Sequence, residues 1–492
     1  MRLRYDDRMS GSEIVTALAA VLPAECLLSR EEERRPYECD ALTAFRQLPL
    51  VVALPRTAEE VRQVLCACRR LNVPVVARGS GTGLSGGATP HTQGVLLSCA
   101  RLNRVLEVDP HNRIARLEPG VPNLKVSEAA APYGLYYAPD PSSQVACSIG
   151  GNVAENSGGV HCLKYGLTVH NVLGVRGYTM DGEPLELGGR AADSPGLDLL
   201  ALVIGSEGLL MVVTEIIVRL IPRPPCAQLV MASFPNVHSA ADAVAAVIGA
   251  GIIPAALEMM DRKTAVAVEP FVHAGYDLEA AAILLAEADG TVEEVRAQVE
   301  EIERVLRAAG ASALRVSTSE AERLRLWSGR KNAFPAAGRL SPDYYCMDGT
   351  IPRRHVGRVL EAIEQMETRY GLRCMNVFHA GDGNLHPLIL FDANAPGEWE
   401  RADRFGAEIL ELCVALGGTI TGEHGVGVEK LNSMCVQFSP AERAAFTAVK
   451  QAFDPAGLLN PGKVIPTLAR CAEYGKMRVH GGALPHAELP RF

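Results

Sequence analysis

No long uncharged apolar run occurs in these 492 residues. The most apolar stretches, 199–221 and 243–256, are broken by Glu207 and Glu215 or fall short of the ~20 residues a bilayer demands, so no direct membrane span is expected. Positive charge is in deficit too. Against 57 acidic residues stand 48 Lys and Arg, the formal charge is -9, and no basic tract stands out. Nucleic acid is therefore not expected as a partner, because phosphate has to be met by clustered cations. The thirteen cysteines are an odd number, widely spread and without a CxxC pair. That speaks against a disulfide framework and against an iron–sulfur cluster held by this chain, and it favours reduced thiols. The first twenty residues scatter charge without an uninterrupted apolar segment, so no secretory leader is expected and the expected compartment is the cytoplasm.

What is present is a packed globular composition, 48% apolar and 21% charged, long enough for two or three domains. After an irregular arm with a helix near 13–21, the pattern alternates strand and helix. Val51–Leu54 reads as a strand stopped by Pro55. Thr57 and Glu60 then form a capping box for a helix to Arg70, with Val61, Val64, Leu65 and Cys68 on one face. A strand at 73–77 leads into a glycine-rich loop. Short segments at 95–98, 105–108 and 115–118 follow at close spacing, which predicts a mixed or antiparallel sheet. Pro222-Arg-Pro-Pro225 marks a boundary, beyond which helices at 238–250, 292–309, 355–370 and 399–416 alternate with strands. The expected division is an arm over 1–46, a domain over 47–225, a second domain over 226–466 and a tail over 467–492.

The loop Arg78-Gly-Ser-Gly-Thr-Gly-Leu-Ser-Gly-Gly87 contains Gly81-x-Gly83-x-x-Gly86, a literal dinucleotide fingerprint. A Rossmann fold needs a helix to open there, and Ala88-Thr-Pro-His-Thr-Gln-Gly94 is a poor helix former. A nest of backbone N–H groups for an anion survives that objection, and so does a plain surface loop. Two further Gly/Ser/Asn-rich segments, Pro139–Gly159 and Ile204–Gly208, suit a long ligand in an extended groove.

In the second half, Asn376–Phe391 reads as a β-hairpin around Gly-Asp-Gly-Asn, with His379 and His386 on paired strands. Gly422-Glu-His-Gly425 adds a carboxylate and a third histidine. Two histidines, a glutamate and an open position make a catalytic zinc-type ligand set, whereas each histidine taken alone reads as a satisfied polar group in a turn. Arg330 follows a helix and precedes a loop in this reading. It is either a carboxylate grip or a surface arginine.

The loop at 78–87, PDPSS at 139–143, GGNVAENSGG at 150–159 and GSEG at 205–208 resemble the FAD-binding domain of the p-cresol methylhydroxylase / vanillyl-alcohol oxidase superfamily. WSGRKNAFP, HAGDGNLHP, GEHGVG and DPAGLLNPGK resemble the C-terminal domain of the FAD-linked D-2-hydroxy-acid dehydrogenases, most closely the FAD-carrying subunits of bacterial glycolate oxidases. The resemblance spans nearly the whole chain. It implies an α+β fold, a PCMH/VAO-type FAD-binding domain followed by an α+β domain with an antiparallel sheet. FAD would be held by Arg78, Gly79, Ser80, Gly81, Thr82, Gly83 and Leu84, by Pro139, Asp140, Ser142, Gly150, Gly151, Asn152, Asn156 and Gly158, and by Gly205, Glu207, Gly208, Ile217 and Asn460. Thr82 stands where some relatives carry a flavin-linking histidine, which implies non-covalent FAD. By the same resemblance His379, His386 and Glu423 bind a divalent metal, zinc first. His424 is then the catalytic base and Arg330 holds the substrate carboxylate.

Relatives that act on 2-hydroxyglutarate carry a lysine near Cys346 and an asparagine at Leu388, so a small 2-hydroxy acid, glycolate or D-lactate, is the expected substrate. The product would be the 2-oxo acid. A second flavin subunit and an iron–sulfur subunit are the implied partners, with peripheral attachment at the inner membrane through them. The rival readings are a stand-alone D-lactate dehydrogenase, a non-catalytic flavin-carrying subunit, and an aromatic-alcohol oxidase. The last is disfavoured by the 5% aromatic content and by the metal set.

Overall fold

The computed structural model describes residues 11–191 and 196–466. The first ten residues of the predicted arm and the predicted tail 467–492 lie outside that range. β1 (Leu27–Leu28), β2 (Val51–Ala53), β3 (Val75–Arg78) and β4 (Val95–Ser98) form a sheet of order β1-β2-β4-β3, parallel except at β1. Parallel neighbours need a crossover, and the helix Ala58–Arg70 supplies it between β2 and β3. Thr57 Oγ1 accepts the Glu60 N–H at 3.1 Å to cap that helix. The Glu60 carboxylate reaches back one residue further than the capping box predicts, to the Arg56 N–H at 2.6 Å. The predicted stripe of Val61, Val64, Leu65 and Cys68 is buried.

A second sheet holds β5 (Val105–Asp109), β6 (Ile114–Leu117), β8 (Val172–Tyr178), β9 (Pro184–Gly188) and β10 (Val212–Arg219) in the order β5-β6-β10-β8-β9, all antiparallel. The predicted single sheet is thus two sheets, one mostly parallel and one antiparallel. A ribbon of β7 (Leu135–Tyr136) and β11 (Ile221–Pro222) closes this half.

The remaining strands are β12 (Cys226–Phe234), β13 (Ala256–Asp261), β14 (Ala282–Gly290), β15 (Ala313–Val316), β16 (Asp343–Cys346), β17 (Arg373–Phe378) and β18 (Pro387–Phe391). They build one antiparallel sheet of order β15-β12-β14-β13-β17-β18-β16. Helices Val237–Gly249, Val292–Ala308, Val356–Tyr370 and Glu398–Ala415 pack on one face, and Arg262–Val272, Glu320–Lys331 and Ala333–Leu340 on the other. Strands covered on both faces have no solvent side, so they read as apolar runs instead of alternating patterns. β13 is buried at all six positions. Truncating one large aliphatic side chain in such a core costs ~2–5 kcal/mol. The buried charged exceptions inside these strands, Glu258, Asp261, Glu287 and Asp289, are each partnered.

The two halves are joined by polar contacts. His161 Nδ1 lies 2.7 Å from Asp140 Oδ2, and its Nε2 lies 3.2 Å from Glu287 on β14. Burial alone would pull the His161 imidazolium down, but the two carboxylates outweigh it and raise His161 well above its ordinary value. Lys164 and Tyr165 bind Asp289. Late in the chain, 454–463 returns to the first sheet, where Val75 N–H donates to Leu458 O at 2.8 Å and Asn460 N–H to Val75 O at 2.7 Å.

Candidate active site

The hairpin expected around Gly381–Asn384 is formed: β17 pairs with β18, and His379 bridges Asn384 across the turn. The His379 and His386 rings lie 5.1 Å apart at 82°. Glu423 Oε1, from the loop that follows, is 3.1 Å from Nε2 of each. Three donor atoms therefore converge inside the protein. The other ring nitrogen of buried His386, Nδ1, has no hydrogen-bond partner among the described residues. Two imidazole nitrogens turned to one carboxylate oxygen fit a divalent cation held by His379, His386 and Glu423. Burial pulls His379 down, yet carboxylates at both its nitrogens, Glu258 and Glu423, push it up to about 10. His386 is lowered by burial.

His424 stacks on His386 with ring centroids 4.9 Å apart and planes within 4°. Burial lowers it to about 4 despite the pull of Asp348, so its imidazole is neutral near pH 7 and can take a proton. The loop that carries Glu423 and His424 is organised by Asp348. This buried carboxylate accepts from the N–H groups of Gly422 (2.7 Å), Glu423 (2.7 Å) and His424 (2.6 Å), and from the Thr421 hydroxyl (2.9 Å). Lys430 Nζ, also buried, adds a bond at 3.2 Å. Asp348 additionally lies near His386 and His424 as a second candidate ligand group. Sequence reasoning passed over Asp348 and Lys430; the available signal was an acid before glycine in the otherwise apolar Tyr344–Ile351.

Arg330 lies in the last turn of the helix Glu320–Lys331, and a second helix follows at once, where the sequence suggested a loop. It is 1% exposed, which removes the surface reading. Its Nε donates to Glu258 Oε2 at 2.5 Å, and its NH2 group lies 3.4 Å from His379 Nε2. Glu258 was also missed. A lone acid in Ala256-Leu-Glu-Met-Met260 was the clue.

A cavity of about 390 Å³ runs from the glycine loop to this cluster. Arg78, Gly79, Ser80, Gly81, Thr82, Gly83 and Leu84 line it, with Ser142, Gly150, Gly151, Asn152, Glu207 and Gly208. Its far end is lined by His386, Glu423 and His424 and by Lys331 and Phe334, two residues the sequence did not flag. Gly81 has φ +72°, with the Arg78 guanidinium packed against it, so a side chain there is both strained and blocked. The backbone-lined cradle at this end fits a long cofactor with a diphosphate.

The other expected FAD residues stand behind the lining. Pro139 O accepts from Asn123, Asp140 holds His161, and Asn156 accepts the Val169 N–H at the end of its helix. A Cβ on Gly158 would collide with the Glu423 carboxylate, so the two halves touch there. Gly205 N–H donates to Val153 O, Ile217 is buried in β10, and Asn460 donates to Gly87 O and Glu207 O. The Glu207 carboxylate accepts from Val426 and Gly427 N–H at 2.7 Å each, clamping the histidine-bearing loop to the glycine-rich half.

Two family models match this chain: an FAD binding domain over residues 49–188 and the C-terminal domain of FAD linked oxidases over residues 223–464. The chain is 58% identical to the glycolate oxidase subunit GlcD of Escherichia coli (strain K12), covering all of both chains. It is 39% identical to that of Bacillus subtilis (strain 168), over 89% of this chain and 93% of the relative. A D-lactate dehydrogenase of Archaeoglobus fulgidus is 33% identical over 85% of this chain and 92% of its own. Among solved structures, p-cresol methylhydroxylase with substrate bound superposes with a TM-score of 0.79 at 18% identity, covering 92% of this chain and 96% of that one; it shares the fold.

Proposed function

The chain belongs to the FAD-linked oxidases that include the glycolate oxidase GlcD subunits, and on that premise we propose that it oxidises glycolate, and D-lactate as a second substrate, to the 2-oxo acid. It is an FAD-dependent hydroxy-acid oxidoreductase with an α+β, PCMH-like fold. One observation carries the mechanistic reading: a single cavity is lined at one end by the 78–84 loop and at the other by His386, Glu423 and His424.

FAD bound non-covalently along the cavity supplies the two-electron acceptor, and a divalent cation, zinc in this reading, held by His379, His386 and Glu423 supplies Lewis acidity toward the substrate hydroxyl. His424, neutral because it is buried, takes the hydroxyl proton. Arg330 binds the substrate carboxylate, which fixes the face presented. Loss of the α-hydrogen with its electron pair completes the carbonyl of the product. Phe334 packs on His386 with ring centroids 6.2 Å apart and narrows this end of the cavity, in keeping with a two- or three-carbon acid.

The division at 47–225 and 226–466 assigns FAD to the first domain and metal and substrate to the second. The name of the GlcD relatives as subunits supports work within a complex, with a second flavin subunit and an iron–sulfur subunit receiving the electrons. Among the described residues no helix is long and apolar enough to cross a membrane, so attachment to the inner membrane from the cytoplasm would run through those partners.

Anaerobic addition of glycolate, D-lactate, L-lactate and D-2-hydroxyglutarate to FAD-loaded, metal-replete protein tests the reading by loss of flavin absorbance. Rapid bleaching by glycolate and D-lactate alone is the expected result. Bleaching by none of the four would favour the non-catalytic flavin-carrying subunit.

A further inference from the structure

We infer that Glu258 is a positioning residue that couples the metal-ligand cluster to the substrate-carboxylate grip. The inference rests on the roles proposed above for His379 and Arg330. Glu258 lies on β13 between Leu257 and Met259, and its side chain is 1% exposed. The β13/β17 pairing ends with Met259 opposite Phe378, and Glu258 and His379 are the next residues beyond that pair on each chain segment. Its two oxygens diverge to different partners. Oε1 is 2.8 Å from His379 Nδ1, and Oε2 accepts Arg330 Nε at 2.5 Å. A carboxylate buried in an apolar sheet persists only when both oxygens are paired, and here each pairing does separate work.

At His379, a carboxylate on Nδ1 fixes that nitrogen as the donor. With a cation bound, Nε2 would then be the ligand atom, facing the point where His386 and Glu423 converge. At Arg330, fastening the Nε edge stops the guanidinium from swinging about its stem and holds NH2 3.4 Å from His379 Nε2. One side chain thus sets the spacing between the ligand histidine and the arginine. Neither partner's function can be separated from position 258: a change there alters metal affinity and carboxylate binding together.

The test uses full-length, FAD-loaded protein. Zinc affinity is measured by chelator competition and the glycolate KM by flavin bleaching, with FAD occupancy and melting temperature as controls. Glu258→Gln is expected to weaken zinc binding ~10–100-fold and raise the glycolate KM by a similar factor at wild-type FAD occupancy. Glu258→Asp, which keeps the charge with one methylene fewer, is expected to recover part of both. Zinc affinity equal to wild type in Glu258→Gln overturns the inference, and so does a zinc loss with unchanged KM. Where Glu258→Gln does not fold, Glu258→Asp decides, wild-type zinc affinity again overturning it. Wild-type protein holding no zinc that His386→Ala loses would instead bring down the metal reading itself, and this inference with it.

Discussion

The glycine loop Arg78–Leu84 and the His386–Glu423–His424 cluster face one cavity with opposite chemistry. The loop presents mostly backbone, and its one charged member, Arg78, is tied off by donating to Cys39 O at 2.6 Å. The cluster presents ionisable side chains, His386 buried and Glu423 and His424 largely so, each adjusted by neighbours drawn from other strands and loops. A surface made of backbone is disturbed by adding atoms, because there is no side chain to remove. A surface made of buried charge is disturbed by removing atoms, because each loss strands a partner. The comparison therefore predicts which kind of substitution harms which ligand.

The largest effect belongs to His424. Replacing it with alanine is expected to slow flavin reduction by glycolate ~10²–10⁴-fold, the scale of a lost general base, while FAD content stays at the wild-type level. Reduction at the wild-type rate would remove His424 from the chemistry. Next is His386→Ala, which takes away a ligand: metal analysis should find zinc lost, and flavin reduction should fall on the order of 10²-fold or more. Loss of FAD along with the zinc would blur the division between the two ends. Gly81→Ala is the reciprocal case. A left-handed residue with a side chain costs ~1–2 kcal/mol before any collision with Arg78, so FAD affinity should drop about tenfold with zinc content unchanged.

The smallest effect concerns the clasp that holds the ends together. His161 is raised well above its ordinary value, so its contribution to stability is complete below the unfolded pKa near ~6.5 and disappears as pH climbs through the raised value. Thermal melts from pH 7 to pH 10 should show a steeper loss in wild type than in His161→Gln. Parallel curves would mean the histidine holds no more than a neutral contact.

Much of the architecture was readable because its causes are local. Pro55 ends β2, Thr57 caps the next helix, and Gly381-Asp-Gly-Asn384 turns the hairpin, all within a few residues. Where neighbours in space decide, the reading slipped. The strands from β2 to β6 fall into two sheets because β2 and β3 both pair with β4, a choice made by the crossover helix and not by strand spacing. Arg330 could be read as exposed because nothing in its own segment reveals a carboxylate 72 positions away.

The sequence by itself determined the turns, caps, apolar strands and the identities of the histidines and glycines that could do chemistry, since each depends on a residue's own backbone preference or functional group. Only the tertiary structure decided how those groups are charged and aimed. Glu258 meets His379 across 121 positions, Asp348 gathers three N–H groups from more than seventy residues on, and Glu207 clamps a loop 219 residues later. The physical reason is that a buried charge takes its pKa and its orientation from whatever shares its low-dielectric surroundings, and those neighbours exist only once the chain has folded.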